Sequence, residues 1–187
     1  MQTELNAWQQ LGTRYIHKET WFNLRADRVL KGNGQEMDPY YVLEYSHWVN
    51  VMPVTADGQV VLVRQYRYSL GRFSLELPGG IMDPHETNPL EAAQRELLEE
   101  TGYSCGQIVP TGIVAPNPAT QNNLLYCYLA TDCRLTHALD HDENEELEVL
   151  TVPVAELVRM LRDNEIIQSL HVSSMLYGLL KLGAIKL

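Results

Sequence analysis

The chain has 187 residues, 45% of them hydrophobic, which supports one ordinary globular domain with room for a small appendage. Its 14 basic and 24 acidic side chains leave a net charge of −10. That charge argues against unassisted binding to a nucleic-acid backbone, and an anionic substrate must be met by a metal ion or a local basic patch. No run approaches about 18 consecutive apolar residues, so no membrane span is expected. The N-terminus, "MQTELNAWQQLGTRYIHKE", lacks the apolar run of a signal peptide. Cys105, Cys127 and Cys133 are odd in number and form no CxxC pair, so they read as small core side chains in a reducing compartment. A cytoplasmic location is expected.

Residues 1–46 read as a separate layer. "TWFNLRADRVL" (Thr20 to Leu30) and "YYVLEY" (Tyr40 to Tyr45) read as strands, joined by the turn-rich "KGNGQEMDP". Residues 47–187 form the main domain. "WVNVMPVT" and "VVLVRQYRY" flank Asp57-Gly58, a hairpin signal. "FSLELPGG" is a short strand ending in Pro78, Gly79 and Gly80. Asn88 as cap and Pro89 at the first helical position start a helix that runs to about Thr101, with Gly102 just past its end. "QIVPTGIVAPNP", "LLYCYLATDC" and "LEVLTVP" add strands, and "PVAELVRMLRDN" and "SLHVSSMLYGLLKLG" are the closing helices. This order predicts an α/β (α+β) fold, a mixed sheet with helices on its faces.

The helix from Pro89 carries Glu96, Glu99 and Glu100, like charges whose repulsion something should offset. At 100° per residue, Leu90, Ala93, Leu97 and Thr101 share the face that meets the sheet. Glu96 and Glu100 lie along the edge of that face. Glu91, Arg95 and Glu99 make a second row, so Arg95 can hold Glu99 or Glu91 while Glu96 and Glu100 remain free to share a hard cation. Mg²⁺ suits such a site, because it takes one or two carboxylates and completes its shell with water and phosphate oxygens.

Gly80, then five residues, Glu86, then eight residues, and "RELLEETGY" from Arg95 to Tyr103 resemble the signature of the Nudix hydrolases. The one departure is eight residues instead of seven between Glu86 and Arg95. The extra residue falls in "TNP" before the helix, which keeps the Glu96/Glu100 geometry and leaves the role of Glu86 open. "WVNVMPVTADGQVVLVRQYR", "LELPGG" and "PNPATQNN" are similar to the branch that hydrolyses ADP-ribose and other nucleoside diphosphate sugars, over roughly Ser46 to Pro153. The resemblance implies a Nudix-type mixed sheet sandwiched between helices, preceded by an antiparallel β segment that builds a homodimer.

It also implies chemistry. Bound Mg²⁺, or Mn²⁺ in its place, neutralises a pyrophosphate and lowers the pKa of a bound water. Glu96, Glu100 and Glu99 are the expected carboxylate ligands, the Gly79 carbonyl faces the metal, and Arg95 and Glu86 stand behind the ligands as orienting groups. A loop glutamate is the usual base in this branch. Glu145 in "NEELEV" best matches its position, Glu143 is the reserve, and Glu99 follows if the acidic run is only a solvated surface.

Arg64 and Arg67 in "VRQYR" are candidates for the substrate phosphates, against a reading as surface cations at a strand end. Trp48 or Trp21 is a candidate to stack on the base, against a core or interface role. His137 and His141, four apart in an acidic loop, do not read as a zinc site.

The expected activity is Mg²⁺-dependent hydrolysis of nucleoside diphosphate sugars, ADP-ribose first and GDP-mannose second. The alternative is a Nudix-fold sensor that binds such a ligand without cutting it. A calcium-binding structural module lacks its ligand pattern here.

Overall fold

The computed structural model describes residues 6–138 and 146–186. It divides into two compact units, residues 1–46 with 115–123, and residues 47–114 with 124–187.

The first unit is an antiparallel sheet of β1 (Gln9–Lys18), β2 (Asn23–Leu30) and β3 (Glu36–Glu44), in that order. The expected strand over Thr20 to Leu30 starts three residues later, because Glu19 N–H donates to the Phe22 carbonyl and turns the chain. The expected connector is shorter than its turn-rich composition suggests. Lys31 N–H closes on the Gln35 carbonyl at 2.8 Å, and β3 begins at once. The sequence reading did not identify β1 at all. Its ten residues are all exposed, so no apolar–polar alternation marks it. Ala26, Val29 and Val42 are buried, and residues 115–123 dock on β3 through Leu43 N–H on the Thr120 carbonyl at 2.7 Å.

The second unit is built on β4 (Trp48–Thr55), β5 (Gln59–Arg67), β6 (Arg72–Glu76), β7 (Gly79–Ile81), β8 (Tyr103–Ser104), β9 (Gln107–Val114), β10 (Leu125–Leu135) and β11 (Leu147–Pro153). The main path is β11-β5-β4-β10-β8, with β6 paired to β5, β7 to β4 and β9 to β10. β4 and β10 run parallel and the remaining pairs antiparallel, so the sheet is mixed. Three α-helices lie among the described residues, α1 (Pro89–Thr101), α2 (Val154–Arg162) and α3 (Ser169–Leu182).

Alternation along β4 separates two cores. Val49 and Val51 join Ala92, Ala93 and Leu97 of α1 on one face. Met52 and Val54 join Leu157 and Met160 of α2 and Met175 and Leu179 of α3 on the other. β5 is apolar on both faces, and Val60, Val61, Leu62 and Val63 are all buried, as in a strand covered from both sides. This is the α/β sandwich that the sequence implied. No described helix is long and apolar enough to cross a membrane.

Candidate active site

The strand–turn–helix from β6 to α1 carries the site. α1 starts where the sequence predicts. Asn88 Oδ1 accepts from Leu90 N–H at 3.1 Å, Pro89 occupies the first helical position, and Gly102 ends the helix in the left-handed region at φ 72°. Leu97 and Thr101 face the sheet, and they bring the edge of the helix, with Glu96 and Glu100, against β7.

The two glycines make that approach feasible. A Cβ on Gly80 would stand 2.6 Å from Glu96 Oε1 and 2.8 Å from Oε2. A Cβ on Gly79, whose φ is +157°, would collide with the Val49 carbonyl and stand 2.6 Å from Asn50 Oδ1. Gly79 N–H donates to Glu100 Oε2 at 2.8 Å. Glu96 and Glu100 are only 8% and 6% exposed, and carboxylates so buried must be compensated.

Arg95 supplies much of that compensation. It contacts Glu96 Oε1 at 3.0 Å and Glu99 Oε2 at 2.8 Å, and holds Glu86 in a fork at 2.9 and 3.1 Å. The expectation that Arg95 would hold Glu99 or Glu91 is met for Glu99. Glu91 instead accepts from the cap residue Asn88 at 2.9 Å. Glu96 is not left free as the helical wheel suggested, because the arginine spans three carboxylates at once. Glu86 reaches Arg95 despite the extra residue, and its carboxylate is also held by Asp83 N–H at 2.8 Å. Hydrogen bonds from Arg95 hold the Glu86 carboxyl below its ordinary range, with burial opposing.

The donors at this edge are carboxylate oxygens, which suit a hard divalent cation. Among the described residues, no three His, Cys, Asp or Glu side chains are gathered closely enough to hold a metal ion. The arrangement therefore fits a cation that takes one or two protein carboxylates and fills its shell from water and phosphate, and does not fit a closed all-protein cage.

A second cluster joins Arg67, a candidate from the sequence, to Glu76 and His171, which the sequence reading missed. Glu76, fully buried, is forked by Arg67, with Nε at 2.9 Å from Oε1 and Nη2 on Oε2. His171 Nε2 lies 2.9 Å from the same Glu76 carboxylate. Burial pushes the Glu76 carboxyl up, but bonds from Arg67 and His171 more than offset it and hold it well below the usual carboxylate range. Glu76 is the second residue of "LELPGG" and the last of β6, on the same face as Arg72 and Ser74, so no break in an apolar pattern marked it in the sequence.

The remaining candidates are spread out. Arg64 pairs with Glu148 at 3.1 Å and lies 4.3 Å from the Phe73 ring centroid. Trp48 is half-buried on β4, and Trp21, in the first unit, is exposed. Glu143, Glu145 and His141 lie outside the described residues. His137 Nδ1 lies 2.9 Å from Thr136 Oγ1.

Comparison with known proteins places this geometry. The model of the nucleoside diphosphate sugar hydrolase N-terminal domain matches residues 8–43. The "Methanol dehydrogenase activator" of Bacillus methanolicus is 28% identical over 166 residues, covering 88% of this chain and 89% of that protein. The "ADP-ribose pyrophosphatase" of Mycobacterium tuberculosis is 28% identical over 171 residues, covering 90% and 82%. The crystal structure of an ADP compounds hydrolase shares the fold, with a TM-score of 0.82 at 22% identity over 98% of this chain and 100% of that one. The NUDIX domain model matches residues 45–171, the span that holds α1, the glycine pair and Glu76, so the chain belongs to the Nudix family and is a Nudix hydrolase.

Proposed function

We propose that this hydrolase cleaves the pyrophosphate bond of nucleoside diphosphate sugars in a Mg²⁺-dependent reaction, with ADP-ribose the first substrate to try and GDP-mannose the second. The observation that carries this reading is the pair of buried carboxylates, Glu96 and Glu100, one helical turn apart and pressed against Gly80 and Gly79. The relative named for ADP-ribose hydrolysis supports the substrate class.

Glu96 and Glu100 would hold Mg²⁺, or Mn²⁺ in its place, with the Gly79 carbonyl as a further oxygen, and Glu99 would join them on leaving its pair with Arg95. Arg95 and Glu86 orient that set. When bound, the cation offsets pyrophosphate charge and lowers the pKa of a water. Arg64, exposed beside Glu148, and the outer edge of Arg67 are the groups of this chain suited to phosphate oxygens. Trp48 is the stacking candidate for the base. Glu145, with Glu143 in reserve, takes the proton as the water oxygen bonds to phosphorus and the bridging P–O bond breaks. The products are a nucleoside monophosphate and a sugar phosphate.

Residues 1–46 are proposed as a dimerisation element, because β1 exposes Leu11, Tyr15 and Ile16 along its length. A cytoplasmic location is supported by the three free cysteines, two of them buried.

The test is a panel of nucleotide sugars with and without Mg²⁺. Metal-dependent release of a monophosphate and a sugar phosphate is expected. Tight binding of the same compounds without turnover would replace the enzyme reading by the sensor. Glu145→Gln should lower turnover while keeping substrate and Mg²⁺ affinity. If Glu143→Gln alone does so, the base is Glu143, and if both variants stay active, Glu99 is next.

A further inference from the structure

α3 reaches β4 and the segment leading into the glycine pair through two polar side chains that the reaction above does not use. His171 is 4% exposed and Ser174 is fully buried. His171 Nδ1 accepts from Leu77 N–H at 3.0 Å and lies 3.2 Å from Asn50 Nδ2. Two donors converging on Nδ1 make it the unprotonated nitrogen, so Nε2 carries the hydrogen and donates to Glu76. Ser174 Oγ lies 3.2 Å from the same Asn50 amide and donates to the Leu170 carbonyl at 2.9 Å.

Both groups on His171 Nδ1 flank Gly79. Leu77 is two residues before it in the chain. Asn50 is its neighbour across the β4–β7 ladder, with Oδ1 at 2.6 Å from where a Gly79 Cβ would stand. Gly79 in turn donates to Glu100 at 2.8 Å. One imidazole from the C-terminal helix thus holds the Leu77 backbone before Gly79 and the Asn50 side chain across the ladder from it.

We propose that His171 is a positioning residue for the cation site, acting through Leu77 N–H and Asn50 to hold Gly79 against Glu100. This rests on the assignment of Glu100 as a metal ligand under the proposed function. The fork between Arg67 and Glu76 anchors the far nitrogen of the ring, but the Leu77 contact is the one that transmits to Gly79. Loss of a group that orients a metal ligand typically costs about 10–100-fold in metal affinity or activity.

Two substitutions separate the halves of the ring. His171→Asn can present an oxygen near the Nδ1 position and loses the reach to Glu76. His171→Gln can present an amide N–H near the Nε2 position and offers Leu77 nothing. Mn²⁺ binding is read by electron paramagnetic resonance titration of the full chain, alongside kcat, KM and thermal melting. His171→Gln should weaken Mn²⁺ by about tenfold or more and lower kcat with little change in KM, while His171→Asn stays near the parent. Unchanged Mn²⁺ affinity in folded His171→Gln, or equal weakening in both variants, overturns the proposal.

Binding of Mn²⁺ by the parent without hydrolysis of any nucleotide sugar would defeat the functional reading and leave this test intact. No Mn²⁺ binding by the parent would defeat the metal site and the proposal together. If neither variant folds, ¹⁵N spectra of the parent decide. A His171 ring protonated at Nε2, with a slowly exchanging Leu77 amide, supports the proposal, and protonation at Nδ1 overturns it.

Discussion

β1 and β4 are both regular strands, of ten and eight residues, and they differ in what holds them. Six residues of β4 are buried, with α1 on one face and α2 and α3 on the other. β1 has no buried residue, and among the described residues its ladder runs to β2 alone. Strand geometry needs only ladder partners, whereas stability needs apolar area removed from water. β4 has both, and β1 has the ladder with Tyr15 and Ile16 still nearly half exposed, at 45% and 47%. The main domain therefore carries its own core, and the N-terminal sheet is the part that calls for a cover.

The harshest way to test that contrast is to cut into the core. Leu62→Ala, at a fully buried position of β5, should cost about 2–5 kcal/mol in chemical denaturation, because the cavity opens in the core that α2 and α3 close. A loss under 1 kcal/mol would mean that this strand is not the centre of the fold. Glu100→Gln keeps the volume and should leave the unfolding midpoint close to that of the parent. Turnover should nevertheless fall by about a hundredfold or more, since charge stabilisation at such a site is worth several kcal/mol. Near-normal turnover at saturating Mg²⁺ would remove Glu100 from the ligand set.

On the other side of the comparison, Ile16→Asp probes β1. Sedimentation at micromolar concentration should give a dimer for the parent and half that mass for the variant, because a charge set into a covered apolar strand cannot be desolvated cheaply. A monomeric parent would leave β1 as exposed as it stands. The smallest effect concerns acid. The Glu76 carboxyl is held below its ordinary value of 4.5 in the fold, so its contribution is present above that value. The contribution drains away as pH falls below 4.5 toward the depressed folded value. Glu86, lowered by Arg95, acts in the same direction. Denaturation midpoints of the parent should decline below pH 4.5, and Glu76→Gln should flatten that decline. An identical slope in the variant would place the acid sensitivity elsewhere.

Local rules were legible because they act within a few residues. Asn88-Pro89 at one end and Gly102 at the other set α1, and Asp57-Gly58 set the turn between β4 and β5, where Gly58 N–H closes on the Thr55 carbonyl at 3.0 Å. The helical period placed Glu96 and Glu100 on the edge facing the sheet, and the spacing of "RELLEETGY" named the family. Tertiary structure decided what those side chains touch. Arg95 lies within reach of Glu86 nine residues away as well as Glu96 and Glu99 beside it. Glu76 meets His171 across 95 positions, a separation at which no periodicity carries a signal. The strand β1 went unread for the opposite reason, since its pairing with β2 leaves no buried face to write an alternation into its residues. Sequence fixes the elements through capping, turn chemistry and burial period, while long-range partners follow from how the buried faces stack, which only the folded chain specifies.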